Sequence, residues 1–470
     1  MAASVSRQLA QFVHQLRFDD LPTPVVDKAK ALTLHYFAGV MEGFSGAEVQ
    51  EHIRLIKEEE TVAHGGSSIL VDGARVTRVG AAFCNDEMHH SIEDTYHMIT
   101  HPGRSVFPGA LAFIEGEGSS GKDFLTAVAA AYEVQERLTG EYPPSVMARG
   151  YHPGAVFGIF GAAVAAAKLM RLDEDQINSV LGLCVTLASG NGEPTKSGGR
   201  IPREAASVRN AILAVLLARS GQRGGETTFE GDGGFYHSFT GNNKGKLSYV
   251  FRGPKLAPYE TITADLGSRW EILNTFHKIY PTGGYNGPHV DLMAKLCTDD
   301  DIKPEDVEHV ELVVNWLEAV VPDPAFLRLG STEPKPGSTH YFSAYGIVER
   351  GYAAGRHWIG RASSREHADP PQVLEIMQKV HVKPSKTQTL FGPKITVVTK
   401  DGKRHTIEST GREFMWDFAE ERRRIPERVP DLPIPRSQFE DLITAIGELE
   451  KLDKADRLIQ LTLKTAPVAN

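Results

Sequence analysis

Residues 154–170 read G-A-V-F-G-I-F-G-A-A-V-A-A-A-K-L-M, and residues 205–220 read A-A-S-V-R-N-A-I-L-A-V-L-L-A-R-S. Apolar residues sit almost all round both segments when they are wound as helices. Helices of that kind are buried among other helices, and their small side chains let backbones approach closely. Two such segments commit the chain to a helical core of substantial size. The longest uncharged run, Pro153 to Ala167, falls short of a membrane span.

At 470 residues the chain is long for one compact core, so two or three domains are expected. Leu9, Phe12, Val13 and Leu16 share one helical face, and Pro22-Thr23-Pro24 opens a second helix running to about Glu42. Ile69 to Val76 carries strand residues around an Asp-Gly and predicts a short hairpin. Further helical patterns fall at 77–90, 106–117 and 121–139. From about Tyr259 the texture changes. Val307 to Leu317 has strand character, and Lys394 to Glu408 reads as two alternating strands around Lys-Asp-Gly-Lys, a strong hairpin signal. Helices are expected at 343–355 and 371–380. Residues 411–435, with the run E-E-R-R-R and several prolines, read as a surface connector. The last helices, 437–449 and 454–463, are expected to pack back on the helical domain. The predicted fold is mainly α with a smaller α+β domain: residues 1–264 plus 436–470 all-helical, and 265–435 the α+β domain and connector.

A formal net charge of −9 argues against general nucleic-acid binding. Cys84, Cys184 and Cys297 lie far apart, without metal or redox spacing, as in a reducing compartment. Each reads as a small buried apolar residue. The N-terminus lacks an apolar signal core, and its Arg7 and Arg17 fit an amphipathic first helix better than a presequence. A cytoplasmic protein is expected, with no membrane segment.

Four stretches carry the chemistry. His89 to Pro102 reads H-H-S-I-E-D-T-Y-H-M-I-T-H-P, four histidines and two carboxylates in fourteen residues. These groups move protons near neutral pH. His89, Glu93, His97 and His101 are also spaced by four, and on one continuous helix would share a face, as ligands of a metal-dependent hydrolase would. Pro102 and the want of a second E-x-x-H weigh against that reading; a solvated polar loop is the bland alternative. Arg149-Gly-Tyr-His-Pro-Gly-Ala155 places His152 just ahead of a small-residue helix, where the dipole favours the neutral ring, though a structural histidine fits as well. Glu193 to Arg200, E-P-T-K-S-G-G-R, lets Lys196 and Arg200 converge on one anion, or else leaves them solvated. It is not a nucleotide loop, because Lys196 precedes the glycines. Trp270 to His289 holds His277, Lys278 and a Gly-rich turn.

Taken in order, these stretches resemble the MmgE/PrpD family. The resemblance covers nearly the whole chain. It rests on His90-Ser-Ile-Glu-Asp-Thr95 with Thr100-His101-Pro102, Gly150-Tyr151-His152, Thr195-Lys196 through Ala205-Ala206, Glu230 to Phe235, Phe276 to Pro281, and Tyr341 to Tyr345. Each is weak alone; their order is specific. The acidic motif is shortened relative to the family pattern, the histidine after Thr-Lys is missing, and position 277 is His.

The resemblance implies a large helical domain with an α+β lid, a homodimer, and no metal or organic cofactor. It implies a lyase acting on a small di- or tricarboxylate by removing a proton or carboxyl beside a carboxylate. The commonest activity in the family is that of a hydro-lyase, as in 2-methylcitrate dehydratase; decarboxylation of the cis-aconitate kind and epimerisation of the iminodisuccinate kind are alternatives. On this basis His101 and His152 are the expected proton-transfer pair. Glu93 or Asp94 would tune a histidine, and Thr95 would bond substrate oxygen. Lys196, Arg200 and Lys278 would supply fixed positive charge, Tyr345 a proton from the lid, and His97, His277 and His289 further substrate contacts.

Overall fold

The computed structural model describes residues 3–90, 95–200, 202–251, 253–280, 282–319, 333–351, 369–429 and 432–464. By its contacts the chain forms two units: Met1–Ser248, Lys255–Thr275 and Trp416–Asn470 in one, Tyr249–Pro254 and Phe276–Met415 in the other. The first is helical and the second mixed, so the architecture is mainly α with a smaller α+β part.

In the helical unit, α1 (Val5–Gln15) starts at Ser4, whose hydroxyl accepts the Arg7 N–H, and buries Leu9 and Val13. α2 (Thr23–Gly43) begins with proline in its first turn. After α3 (Ala47–Glu60), the strands β1 (Ser67–Ser68) and β2 (Arg75–Val76) pair antiparallel, as the Asp-Gly signal predicts. α4 (Arg78–His90) and the short extended segment β3 (Thr95–Tyr96) precede α5 (Pro102–Glu117), which ends on left-handed Gly118. α6 (Gly121–Thr139) opens with a Ser120/Asp123 capping box. α7 (Pro143–Met147) is short, and α8 (Pro153–Leu169) is buried at every residue but Lys168. α9 (Glu174–Leu187) and α10 (Pro202–Arg219) complete the core.

α8 is the central helix, packed on by α5, α6 and α10. Its small residues allow this: Gly161 lies against the Gln135 amide, and a Cβ on Gly109 of α5 would overlap the Ala162 carbonyl of α8. Gly109→Ala is therefore expected to cost about 1–3 kcal/mol by overpacking, read as a lowered urea midpoint; an unchanged midpoint would show that the two helices can separate freely. α10 departs from expectation. It is buried on one side only, and Leu213 is 41% exposed.

The expected boundaries at 264/265 and 435/436 can be set beside the contacts that hold these segments. Arg137 of α6 donates to the carbonyls of Ile262, Ala264 and Arg269 at 3.1, 2.6 and 2.7 Å, which ties this stretch to the helical unit. Lys28, buried in α2, donates to the carbonyls of Thr275 and Trp416 at 2.7 and 3.0 Å. These are the last residue before the excursion into the second unit and the first after it. The stretch expected as a surface connector contains a helix, Phe418–Arg428, that packs on α2. The charge run masked it: Glu421 and Ile425 are buried while their charged neighbours face out.

The second unit holds a four-stranded sheet. The extended pair β4 (Phe276–His277) and α13 (Gly287–Asp299) come first, α11 (Phe235–Thr240) and α12 (Glu260–Thr263) having closed the preceding part of the helical unit. β5 (Val307–Asn315) is central; β6 (Val380–Ser385) pairs with it in parallel and β7 (Lys394–Thr399) antiparallel. β8 (Arg404–Glu408) completes the predicted hairpin with β7, turning at left-handed Gly402. Val310, Leu312 and Val314 alternate inward along β5. α14 (Thr339–Val348) is a buried helix, and α15 (Pro371–Met377) ends before β6, three residues earlier than the periodicity predicts.

Candidate functional site

His101 and His152 occupy equivalent positions: each caps a core helix whose first residue is proline, α5 and α8 respectively. Proline disfavours helical dihedrals in the residue before it, so each histidine stays out of the helical region at the helix mouth. Because α5 and α8 pack together, the two rings lie stacked, with centroids 6.2 Å apart and planes 6° from parallel. Tyr96 meets the His101 ring edge-on at 4.8 Å. The His152 backbone is pinned by its N–H to the Gly190 carbonyl at 2.9 Å.

A line of buried charge runs behind His152. Glu204, in the first turn of α10, places Oε1 3.1 Å from His152 Nδ1 and Oε2 2.8 Å from Arg104 Nη1. Arg104, in the first turn of α5, also reaches Asp86 of α4, with Nη2 at 2.7 Å and Nε at 3.3 Å. Arg203 comes to 3.5 Å of Glu204. Burial lowers the His152 pKa to about 4, with Arg203 and His101 adding to the shift and Glu204 opposing it. The ring is neutral at pH 7, as expected, though for burial first rather than for the helix dipole. Burial by itself would raise the Glu204 carboxyl, but Arg104 and the two imidazoles hold it well below the usual range. With His152 neutral, Arg104 is the partner that keeps Glu204 ionised. Burial pushes Asp86 well above the usual carboxylate range against the pull of Arg104. One guanidinium thus serves two carboxylates, and Glu204 keeps the charge.

Glu204, Arg104 and Asp86 were not singled out in the sequence. The available signal was a lone arginine in the apolar run 102–114, since a charge at a buried position needs a partner.

The other expected residues are distributed as follows. Thr95 is buried, and its Oγ1 accepts the Gly103 N–H at 3.0 Å and lies 3.3 Å from the Tyr132 hydroxyl, so it caps α5 from outside. His97 is buried in a tight turn closed by hydrogen bonds in both directions with Thr100, and burial lowers its pKa to about 3. That turn puts Met98 and Ile99 at φ of 43° and 65°, left-handed values that β-branched isoleucine rarely adopts. Arg200 is exposed in the 3-10 turn Gly198–Arg200. Glu93, Asp94 and the side chain of Lys196 lie outside the described residues. In the second unit, His277 and Lys278 are buried at and just after β4. His289 is fully buried in the first turn of α13, with a pKa lowered to about 3 by burial and then by His340. The Tyr345 hydroxyl of α14 donates to Asp369 at 3.2 Å and accepts from Tyr341 at 3.4 Å; burial raises its pKa to about 12.

The shared helical face required by a hydrolase metal site is not formed. α4 ends at His90, His97 lies in the turn, and His101 caps a different helix. His89 instead stacks on Tyr36 in the core, centroids 5.1 Å apart. The three cysteines are buried. Among the described residues no helix is long and apolar enough to cross a membrane.

Residues 7–248, more than half of the chain, match the MmgE/PrpD N-terminal domain, and the chain belongs to the MmgE/PrpD family. It is 30% identical to the cis-aconitate decarboxylase-like protein oryM of Aspergillus oryzae, over 62% of this chain and 61% of that protein. It is 27% identical to a cis-aconitate decarboxylase of Aspergillus terreus, over 63% of this chain and 60% of the relative. In both alignments the chain spans about three fifths of the relative's length. The cis-aconitate decarboxylase of Mus musculus is 23% identical over 98% of this chain and 94% of its own.

Proposed function

We propose that this chain is a lyase of small tricarboxylates that removes a carboxyl group from a substrate of the cis-aconitate type, using His101 and His152 for proton transfer. The parallel placement of the two rings at the mouths of α5 and α8 carries the reading. Helix N-termini attract anions, so a carboxylate held there would meet both imidazoles. In such a decarboxylation the bond to the departing carboxyl breaks and carbon dioxide leaves. The electron pair passes into the neighbouring double bond toward a second carboxylate, and a proton must then be delivered to carbon. An imidazolium at one of the two positions would deliver it; the neutral partner would restore the proton from solvent. The names of the relatives turn the expected dehydration toward decarboxylation. A homodimer and independence of cofactors belong to this proposal as the family resemblance implies them, and a cytoplasmic setting as the sparse cysteines suggest it.

The test is proton NMR of the full chain with cis-aconitate in deuterium oxide. Carbon dioxide and a product carrying one deuterium on carbon are expected. Loss of water from a hydroxy-tricarboxylate, with cis-aconitate inert, would replace the decarboxylase reading with a hydro-lyase.

A further inference from the structure

We propose that Tyr96 is a positioning residue: its ring, held opposite His101 by the strained turn between His97 and Thr100, fixes the imidazole in the orientation that faces His152. This role rests on the reading of His101 as a proton-transfer group and supplies what holds that group in place. His97 and Thr100 exchange both backbone hydrogen bonds, at 3.2 and 2.7 Å, and the Thr100 hydroxyl donates to the His97 carbonyl at 2.6 Å. Only Met98 and Ile99 lie between them, at φ of 43° and 65°. Successive left-handed residues are what the tightest hairpin turn demands, and Asn-Gly is its usual filling. Methionine and β-branched isoleucine are strained there.

The strain has a geometric return. In an antiparallel pair, the residues flanking a hydrogen-bonded pair stand directly opposite one another, on one face, with their side chains at closest approach. Here those residues are Tyr96 and His101. Their rings meet with centroids 4.8 Å apart and planes 81° from parallel. On the far side of the pair, Thr95 Oγ1 accepts the Gly103 N–H at 3.0 Å, so the segment is closed both above and below the two rings. Tyr96, His97, Ile99 and Thr100 are all buried, which is the over-determined packing that strained backbone needs in order to persist. A longer turn would relieve Met98 and Ile99, but Tyr96 would no longer stand opposite His101. The imidazole is thus contacted from two directions, by Tyr96 and by the stacked ring of His152 at 6.2 Å.

The ring contact is read without turnover by proton NMR of the full chain, protonated only at tyrosine and histidine in a deuterated background. A nuclear Overhauser effect between the rings of Tyr96 and His101 is expected, assigned by its loss in Tyr96→Leu and in His101→Asn; its absence from the wild type overturns the proposal. In Tyr96→Leu the kcat on cis-aconitate should fall about ten- to a hundredfold with KM nearly unchanged, because the imidazole is misplaced while substrate binding is not. Tyr96→Phe, which keeps the ring, should recover most of the rate. Wild-type kcat in Tyr96→Leu, or a loss in Tyr96→Phe as deep as in Tyr96→Leu, overturns the proposal. A second variant keeps both rings and changes only their register: a single glycine inserted between Met98 and Ile99 should abolish the ring contact and lower kcat in the same way. Full kcat after that insertion also overturns it. A ring contact present in the wild type together with full turnover in His101→Ala would leave Tyr96 as the holder of the ring and remove His101 from the chemistry, so the two readings fail separately.

Discussion

His101→Ala is expected to lower turnover on a proven substrate by about a hundredfold or more, the usual contribution of a positioned acid or base, while the protein stays folded. The separation of the two effects follows from where the residue stands. His101 caps α5, yet its side chain makes no capping hydrogen bond, and proline in the first turn already favours the helix. The Gly103 N–H is satisfied by Thr95 rather than by the imidazole. Truncation removes ring contacts with Tyr96 and His152, worth about 0.5–1.5 kcal/mol. The checks are kcat and the urea midpoint measured on the same preparation. Unchanged turnover would take His101 out of the mechanism. A collapse in stability would make it a structural residue.

Arg104→Met is expected to destabilise the fold by about 3–5 kcal/mol, because it strands a buried charge rather than because it deletes favourable contacts. Arg104, Asp86 and Glu204 are all nearly or wholly buried, and the guanidinium is the cation that both carboxylates touch. Methionine fills similar volume, so packing loss is small. Without the cation both carboxyls would have pKa values above their unfolded ones. The folded state then binds more protons than the unfolded state, and stability falls as pH rises above the ordinary carboxylate range. The deficit should therefore be smaller at pH 5 than at pH 8. The triple change Arg104→Met, Asp86→Asn, Glu204→Gln should recover much of the loss, since the two stranded carboxylates are gone. Urea unfolding at the two pH values decides it; a single mutant within about 1 kcal/mol of wild type at pH 8 would show that Glu204 carries no buried charge.

Both predictions depend on groups that differ in how readily the sequence discloses them. His101 and His152 are each followed by proline and a helical pattern, so their place at helix starts is local information. That α8 is central was also legible, because only a buried helix tolerates glycine and alanine along its whole length. The hairpin from Lys394 to Glu408 was visible for the same local reason: alternation flanking an Asp-Gly turn. The helix Phe418–Arg428 was hidden because its charges describe the outer face and only two or three apolar residues mark the inner one. The four-residue spacing of His89, Glu93, His97 and His101 offered a metal face that Pro102 already weighed against. Spacing implies a shared face only where the helix is continuous, and Thr95–Tyr96 is extended.

The chain's own order of residues thus determined the helical core, the mixed second unit, and the two histidines poised at helix mouths, all consequences of short-range periodicity, capping and backbone restriction. Tertiary structure alone decided that the rings face one another at 6.2 Å and that Glu204, Arg104 and Asp86 form a line behind one of them. Those three residues come from separate helices, and a buried charge needs a partner, which here arrives from elsewhere in the chain. Such pairing is a property of packed helices, and no local pattern encodes it.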